Sequence, residues 1–161
     1  MSEQRALVEA QSHAMVVDTK EQFVTMHVGQ QMMGISVHDV RDIITKQKIA
    51  TIPLSNSVIA GAINLRGRIV TVLDMRKRLG LEPSGDDAVM HIVVEIGDEL
   101  FSLMVDSVGD VMRLPVDEFE RSPVNLSEKW RELSSGVCQL DKELLVILDT
   151  AATVSLKKNE S

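Results

Sequence analysis

The chain has 161 residues and a mass of 17.8 kDa, enough for one domain or two very small ones. Seventeen Lys and Arg against 24 Asp and Glu leave a formal net charge of −7, and the only aromatics are Phe23, Phe101, Phe119 and Trp130. Neither a basic face for phosphates nor stacking platforms for bases are visible, which argues against nucleic-acid binding. No apolar run approaches the ~18 residues of a membrane span.

The core must be aliphatic. Val and Ile supply 32 of the 161 residues, a balance that favours strands. Cys138 is the only cysteine, which excludes an internal disulfide and suits a reducing cytoplasm. Met1-Ser2-Glu3-Gln4 opens no signal peptide.

Residues 1–20 read as a flexible N-terminal tail. Residues 23–28 alternate, with Val24, Met26 and Val28 on one face; Gly29-Gln30 turns the chain, and residues 31–36 return as a second strand. Val37, Val40 and Ile44 then recur at helical spacing. Residues 46–52 are extended and closed by Pro53. Residues 62–65 and 68–73 form a hairpin around Arg66-Gly67, and residues 75–79 one helical turn ended by Gly80. Residues 81–87 carry Pro, Gly, Ser and two adjacent acids, and read as a linker.

After the linker the pattern repeats. Residues 24–29 resemble 92–97, and 34–40 resemble 102–108, both at an offset of 68; residues 64–74 resemble 139–149 at an offset of 75. The chain is therefore expected to hold two related all-β halves of about five strands each, a first barrel at about 21–80 and a second at about 88–149. Residues 150–161 follow as a C-terminal tail. Strands 69–73 and 144–148 are apolar on both faces and call for cover on both sides. Halves this small bury surface against each other, and the crevice between them is the default place for a partner.

Catalytic patterns are missing. There is no phosphate-cradling Gly-rich Lys loop, no His-Glu-x-x-His and no Gly-x-Ser-x-Gly. His13, His27, His38 and His91 are scattered rather than spaced as metal ligands. Cys138 reads as a small buried hydrophobe rather than a nucleophile. No catalytic residue, metal or cofactor is implied. Arg66 is the more informative residue, because the second repeat has Asp141-Lys142 where the first has Arg66-Gly67. Either it projects a planar, permanently charged donor beside an apolar hairpin, or it is solvated or paired locally with Asp42 or Asp74.

Three ordered motifs resemble the CheW family of bacterial chemotaxis coupling proteins, over residues 21–154. The most specific is Ile59-Ala60-Gly61-Ala62-Ile63-Asn64-Leu65-Arg66-Gly67, continued by the apolar strand 68–73 and Asp74-Met75-Arg76. The others are Gly34-Ile35 followed by Val40-Arg41-Asp42-Ile43, and Val105-Asp106-Ser107-Val108-Gly109-Asp110-Val111. The resemblance implies an all-β fold of two five-stranded SH3-like β-barrels around a shared hydrophobic core, with short helices. It implies a cytoplasmic, non-enzymatic adaptor between chemoreceptor signalling tips (the methyl-accepting chemotaxis proteins) and the histidine kinase CheA, whose regulatory domain has the same fold. Contact with the membrane is then only indirect, through the receptors. The receptor tip is helical and would lie in a hydrophobic groove between the barrels. Matched to the family's motifs, the receptor-binding residues are Val40, Asp42, Ile43 and Arg66, joined by Val89 and Met90. Asp42 stands where the family more usually has Glu, one methylene longer. Kinase contact is expected from exposed strand ends and loops of both halves, including the connection 115–126 with Phe119 and Arg121.

Overall fold

Short β-branched stretches broken by Gly and Pro favour strands over helices, and the described residues hold ten. The computed structural model describes residues 20–53, 56–82, 89–120 and 128–156. The first half contributes β1 (Lys20–Val28), β2 (Gln31–Ser36), β3 (Val40–Thr45), β4 (Ile59–Leu65), β5 (Arg68–Asp74) and the one-turn helix α1 (Met75–Arg78). The second contributes β6 (Met90–Ile96), β7 (Glu99–Val105), β8 (Ser107–Pro115), helix α2 (Glu128–Leu133), β9 (Ser134–Gln139), β10 (Leu144–Leu148) and helix α3 (Thr150–Val154).

The strands form two five-stranded sheets, in the orders β8-β1-β2-β10-β9 and β3-β6-β7-β5-β4. The expected repeat is present at single-residue register. Val24 faces Ile35 in one hairpin and Ile92 faces Leu103 in the other, each pair 68 residues from its counterpart. The parallel pairings match as well: Met33 faces Val146, and Phe101 faces Thr71.

The contiguous division into barrels at 21–80 and 88–149 is not how the sheets are built. Each takes its central hairpin from one repeat and three strands from the other. The chain leaves the first sheet at the 3-10 turn Val37–Asp39 and re-enters it after Val105. Offsets report which segments are alike, not which pair, and the same alternation serves either arrangement.

Each sheet curls on itself. Beyond β3, Ala50 bridges to Ala62 in β4; beyond β8, Glu120 bridges to Val137 in β9. The inside of the first barrel holds Phe23, Leu114, Leu145 and Ile147, and that of the second Ile63, Val70, Val72, Val93 and Leu100. The largest cluster lies between the barrels, with sixteen buried residues from both, among them Met26, Met33, Ile35, Leu73, Ile92 and Leu103. Burying each such side chain contributes roughly 1.5–3 kcal/mol, so the two barrels are held as one body.

The helical spacing expected from Val37 to Ile44 gives way to the short turn Val37–Asp39 and then strand β3. A bulge at Arg41 shifts the register between Val40 and Asp42 and breaks the alternation. Of the strands expected to be covered on both sides, β10 is buried from Leu145 to Leu148, but Ile69 at the start of β5 is 68 % exposed. Residues 150–156, expected as part of a C-terminal tail, are instead folded onto the body. Asp149 caps α3 by accepting from Ala152 N–H, Thr150, Thr153 and Val154 are buried, and Arg78 donates to the carbonyls of Ala152, Thr153 and Ser155. Within the expected linker, Leu81 packs on the shared core. Residues 83–87 and the N-terminal tail up to residue 19 lie outside the described residues.

Candidate functional site

β3 is an edge strand of the second sheet, and its bulge sorts the candidate residues onto two faces. Val40 faces Val94, Ile43 faces Ile92 and Thr45 faces Met90, on the side of the shared core. Val40 and Met90 are half-buried against that core, whereas Ile43 is 38 % exposed. Asp42 faces Val93, a residue of the barrel interior. Val89 is half-buried just before β6.

Arg66 sits at the tip of the β4–β5 hairpin. Arg66 and Gly67 both have positive φ, 52° and 86°, as a type I′ turn requires. Asn64 Oδ1 accepts from Gly67 N–H at 2.9 Å and holds the turn. From there Arg66 Nη2 reaches within 3.3 Å of Asp42 Oδ2, while its own side chain stays 79 % exposed. Asp42 is thus the partner that the sequence left open. Asp74 is spent on capping α1, accepting from the N–H groups of Arg76 and Lys77.

The pair stands at one open end of the barrel, over a depression of about 240 Å³. Leu65, Val93 and Leu100 form its apolar lining, and Arg41, Arg66, Arg68, Asp42 and Glu95 its charged rim. Arg41 Nε donates to Glu95 Oε1 at 2.7 Å. An ion pair this exposed adds little stability. Sequence reasoning missed Arg68 and Glu95. Arg68 could have been found from the two-residue hairpin turn, which sets it beside Arg66.

Val40, Ile43 and Met90 therefore form an apolar strip at the barrel–barrel edge, and Asp42 with Arg66 a charged rim around the corner of β3. Phe119 lies elsewhere. It packs on the interior cluster of the first barrel, its ring centroid 5.6 Å from that of Phe23. Arg121 lies outside the described residues.

The reactive residue types are turned inward or spread apart. His91 is fully buried, its Nδ1 2.8 Å from Ser102 Oγ and its Nε2 without a hydrogen-bond partner; burial pushes its pKa down. Burial, with the charge of Glu118, pushes the Cys138 thiol up, away from the reactive thiolate. Among the described residues no group of three or more His, Cys, Asp or Glu could hold a metal ion, and no helix is long and apolar enough to cross a membrane.

Two barrels fused through a shared core, with an apolar edge and an ion-paired rim facing outward, define a protein-binding module. The model of the CheW-like domain matches residues 22–158, and the chain belongs to that family. It is 29% identical over 146 residues to the chemotaxis protein CheW of Bacillus subtilis (strain 168), covering 90% of this chain and 94% of that one. It is likewise 29% identical over 126 residues to the chemotaxis protein CheW of Thermotoga maritima, covering 78% and 82%. The crystal structure of the scaffolding protein TtCheW from Thermoanaerobacter tengcongensis superposes with a TM-score of 0.78 at 25% identity, over 88% of this chain and 97% of that one. The all-β fold of two five-stranded SH3-like barrels is that of the family, whose members are chemotaxis scaffolds and adaptors rather than enzymes.

Proposed function

We propose that this chain couples the signalling tips of chemoreceptors to the histidine kinase CheA, and that a receptor helix lies along the β3 edge between the barrels. The observation that carries this reading is the arrangement around β3. Val40, Ile43 and Met90 supply an apolar strip at the rim of the shared core, and the Asp42–Arg66 pair flanks it. An amphipathic helix needs such a strip for its apolar face and fixed charges beside it to set register. Val89, next to Met90, is the remaining residue assigned to the receptor surface. Asp42 reaches one methylene less far than Glu would, and its pairing with Arg66 keeps that arginine on the β3 side of the hairpin. The adaptor acts in the cytoplasm and reaches the inner face of the membrane only through receptors. It needs no cofactor and makes no contact with nucleic acid. Kinase binding falls to exposed strand ends and loops of both halves, with the connection 115–126, which carries Phe119 and Arg121, taking part. Each contact alone is weak, and the array supplies avidity.

The test is co-sedimentation with membranes carrying chemoreceptor tips, with and without CheA, for wild type and Arg66→Ala. The wild type is expected to sediment and to recruit kinase, and Arg66→Ala to lose receptor binding while staying folded. A wild type that stays in the supernatant while the kinase is active overturns the partner assignment.

A further inference from the structure

β8 repeats β3. The two strands stand 68 residues apart in sequence, and each lies at the end of its sheet. Val40-Arg41-Asp42-Ile43 of β3 has Val108-Gly109-Asp110-Val111 as its counterpart in β8. The register agrees: Val40 faces Val94 and Ile43 faces Ile92, while Val108 faces Met26 and Val111 faces Val24. Val108, like Val40, is half-buried against the shared core, and Val111 is 55 % exposed against 38 % for Ile43. The molecule therefore has two equivalent apolar edges, and their surroundings differ. Met90 beside β3 has Gln22 as its counterpart beside β8, and Val89 has Glu21, both exposed. Arg66, which pairs with Asp42, is matched by Asp141 in the second repeat. The β8 edge keeps the apolar contact and loses the arginine, so a helix whose charges suit the β3 edge does not suit it.

The segment that leads into β1 is placed to cover this edge. Lys20 faces Pro115, so residues 1–19 enter the sheet beside the end of β8. In their sequence Leu7, Ala10, Ala14 and Val17 recur at the spacing of one helix face, with Arg5, Glu9 and Ser12 on the opposite side. A helix this short is marginal alone in water and gains by packing on an apolar surface. The lengths agree. From Leu7 to Ala14 a helix rises ~10 Å, as far as β8 runs from Val108 to Val111. The chain from Ala14 to Lys20 reaches up to ~20 Å, enough to return from the Lys20–Pro115 end of β8 to Val111, ~13 Å along the strand. Tethered in this way, the segment meets the edge at an effective concentration of about a millimolar, at which a weak contact suffices. We infer that the N-terminal segment folds back on the β8 edge, with Ala14 over Val111 and Leu7 over Val108. Of the two equivalent edges, β3 is then the one left for a helix from another protein.

The experiment uses the full chain carrying Cys138→Ser, so that introduced thiols are the only ones. Ala14→Cys/Val111→Cys probes the β8 edge, and Ala14→Cys/Ile43→Cys the equivalent place on β3. Under mild oxidation the first pair is expected to close an intramolecular disulfide about tenfold faster than the second or more. Equal rates, a faster second pair, or closure of neither overturns the inference. A disulfide-linked dimer as the main product of the first pair assigns the β8 edge to a second copy of the chain, and also overturns it. Alkylation of Val111→Cys by iodoacetamide is the second readout. Adding Leu7→Asp/Ala14→Asp to that variant is expected to speed alkylation about tenfold, because a charge on the packed face of the segment releases it. The same additions leave alkylation of Ile43→Cys unchanged. A Val111→Cys thiol that reacts equally fast with either segment overturns the inference. Neither measurement uses receptor or kinase, so its failure leaves the adaptor reading standing.

Discussion

Arg76 and Asp106 meet side-on where the chain crosses from one sheet to the other. Arg76 Nε donates to Asp106 Oδ1 at 2.9 Å and Nη2 to Oδ2 at 2.5 Å, and the Gly29 N–H donates to the same Oδ2 at 2.8 Å. Helix α1 of one sheet, the β7–β8 crossover and the β1–β2 turn of the other are tied at one carboxylate. The Arg76 hydrogen bond chiefly, with the Gly29 N–H, holds the Asp106 carboxyl below its ordinary range, against the opposing effect of partial burial. Asp106→Asn is expected to cost about 1.5–3 kcal/mol, read from urea melts at pH 7. A depressed carboxylate pKa contributes stability above the unfolded-state value of about 4 and loses it as pH falls through the folded-state value. The wild type is therefore expected to approach the variant in stability as the pH drops below about 4.

Gly61 and Gly136 occupy equivalent places in β4 and β9, each where a strand passes under the segment that closes its barrel. A Cβ on Gly61 would stand 2.2 Å from the Ala50 carbonyl oxygen, which itself accepts from Ala62 N–H at 2.8 Å. Gly61 also has φ of 147°, a conformation L side chains rarely adopt. On Gly136 the nearest atom would be Glu120 O at 3.1 Å, with no such φ. Gly61→Ala is expected to cost about 3 kcal/mol or more by prising the closing bridge apart, and Gly136→Ala about 1 kcal/mol. Equal denaturation midpoints for the two variants would show that the barrels close by different means.

Much of this architecture was legible because duplication writes the same alternation twice. Leu73 and Leu148, and Asp74 and Asp149, aligned from sequence alone, and the two aspartates both cap the helix that follows them. The exchange of strands between repeats was not legible, since β1–β2 offers β8 and β3 the same kind of edge. Nor was strand β3, because Arg41 in its bulge gives Val40 and Ile44 a helical spacing. At the candidate site, Arg66 was legible as the residue that differs between repeats, but its pairing with Asp42 depends on a fold of the chain that brings β3 to the β4–β5 turn.

His91 and Ser102 fill the interior of the second barrel at the positions that Phe23 and Gly34 fill in the first. A fully buried imidazole with an unpartnered Nε2 is held neutral. The sign follows from burial: the unfolded chain protonates near pH 6.5 while the folded one resists, so stability falls as pH drops below about 6.5. His91→Phe/Ser102→Gly installs the first barrel's apolar pair. It is expected to flatten the stability profile between about pH 6.5 and 5, seen in urea midpoints across that range. A slope unchanged in the double variant would assign it to another group.

Arg66 holds φ of 52° at the hairpin tip, a conformation that costs a residue with a Cβ about 1 kcal/mol and that Asn tolerates better. Its ion pair with Asp42 returns little, because the arginine is 79 % exposed. On the proposed receptor surface this conformational cost is offset by binding rather than by stability. Arg66→Asn is therefore expected to raise stability by roughly 0.5–1 kcal/mol while weakening co-sedimentation with receptor membranes. Gains in stability with receptor binding intact would remove Arg66 from the receptor surface. A loss of stability would show that the pairing with Asp42 outweighs the strain of the turn, and the hairpin tip would then be a structural clasp between β3 and β4–β5.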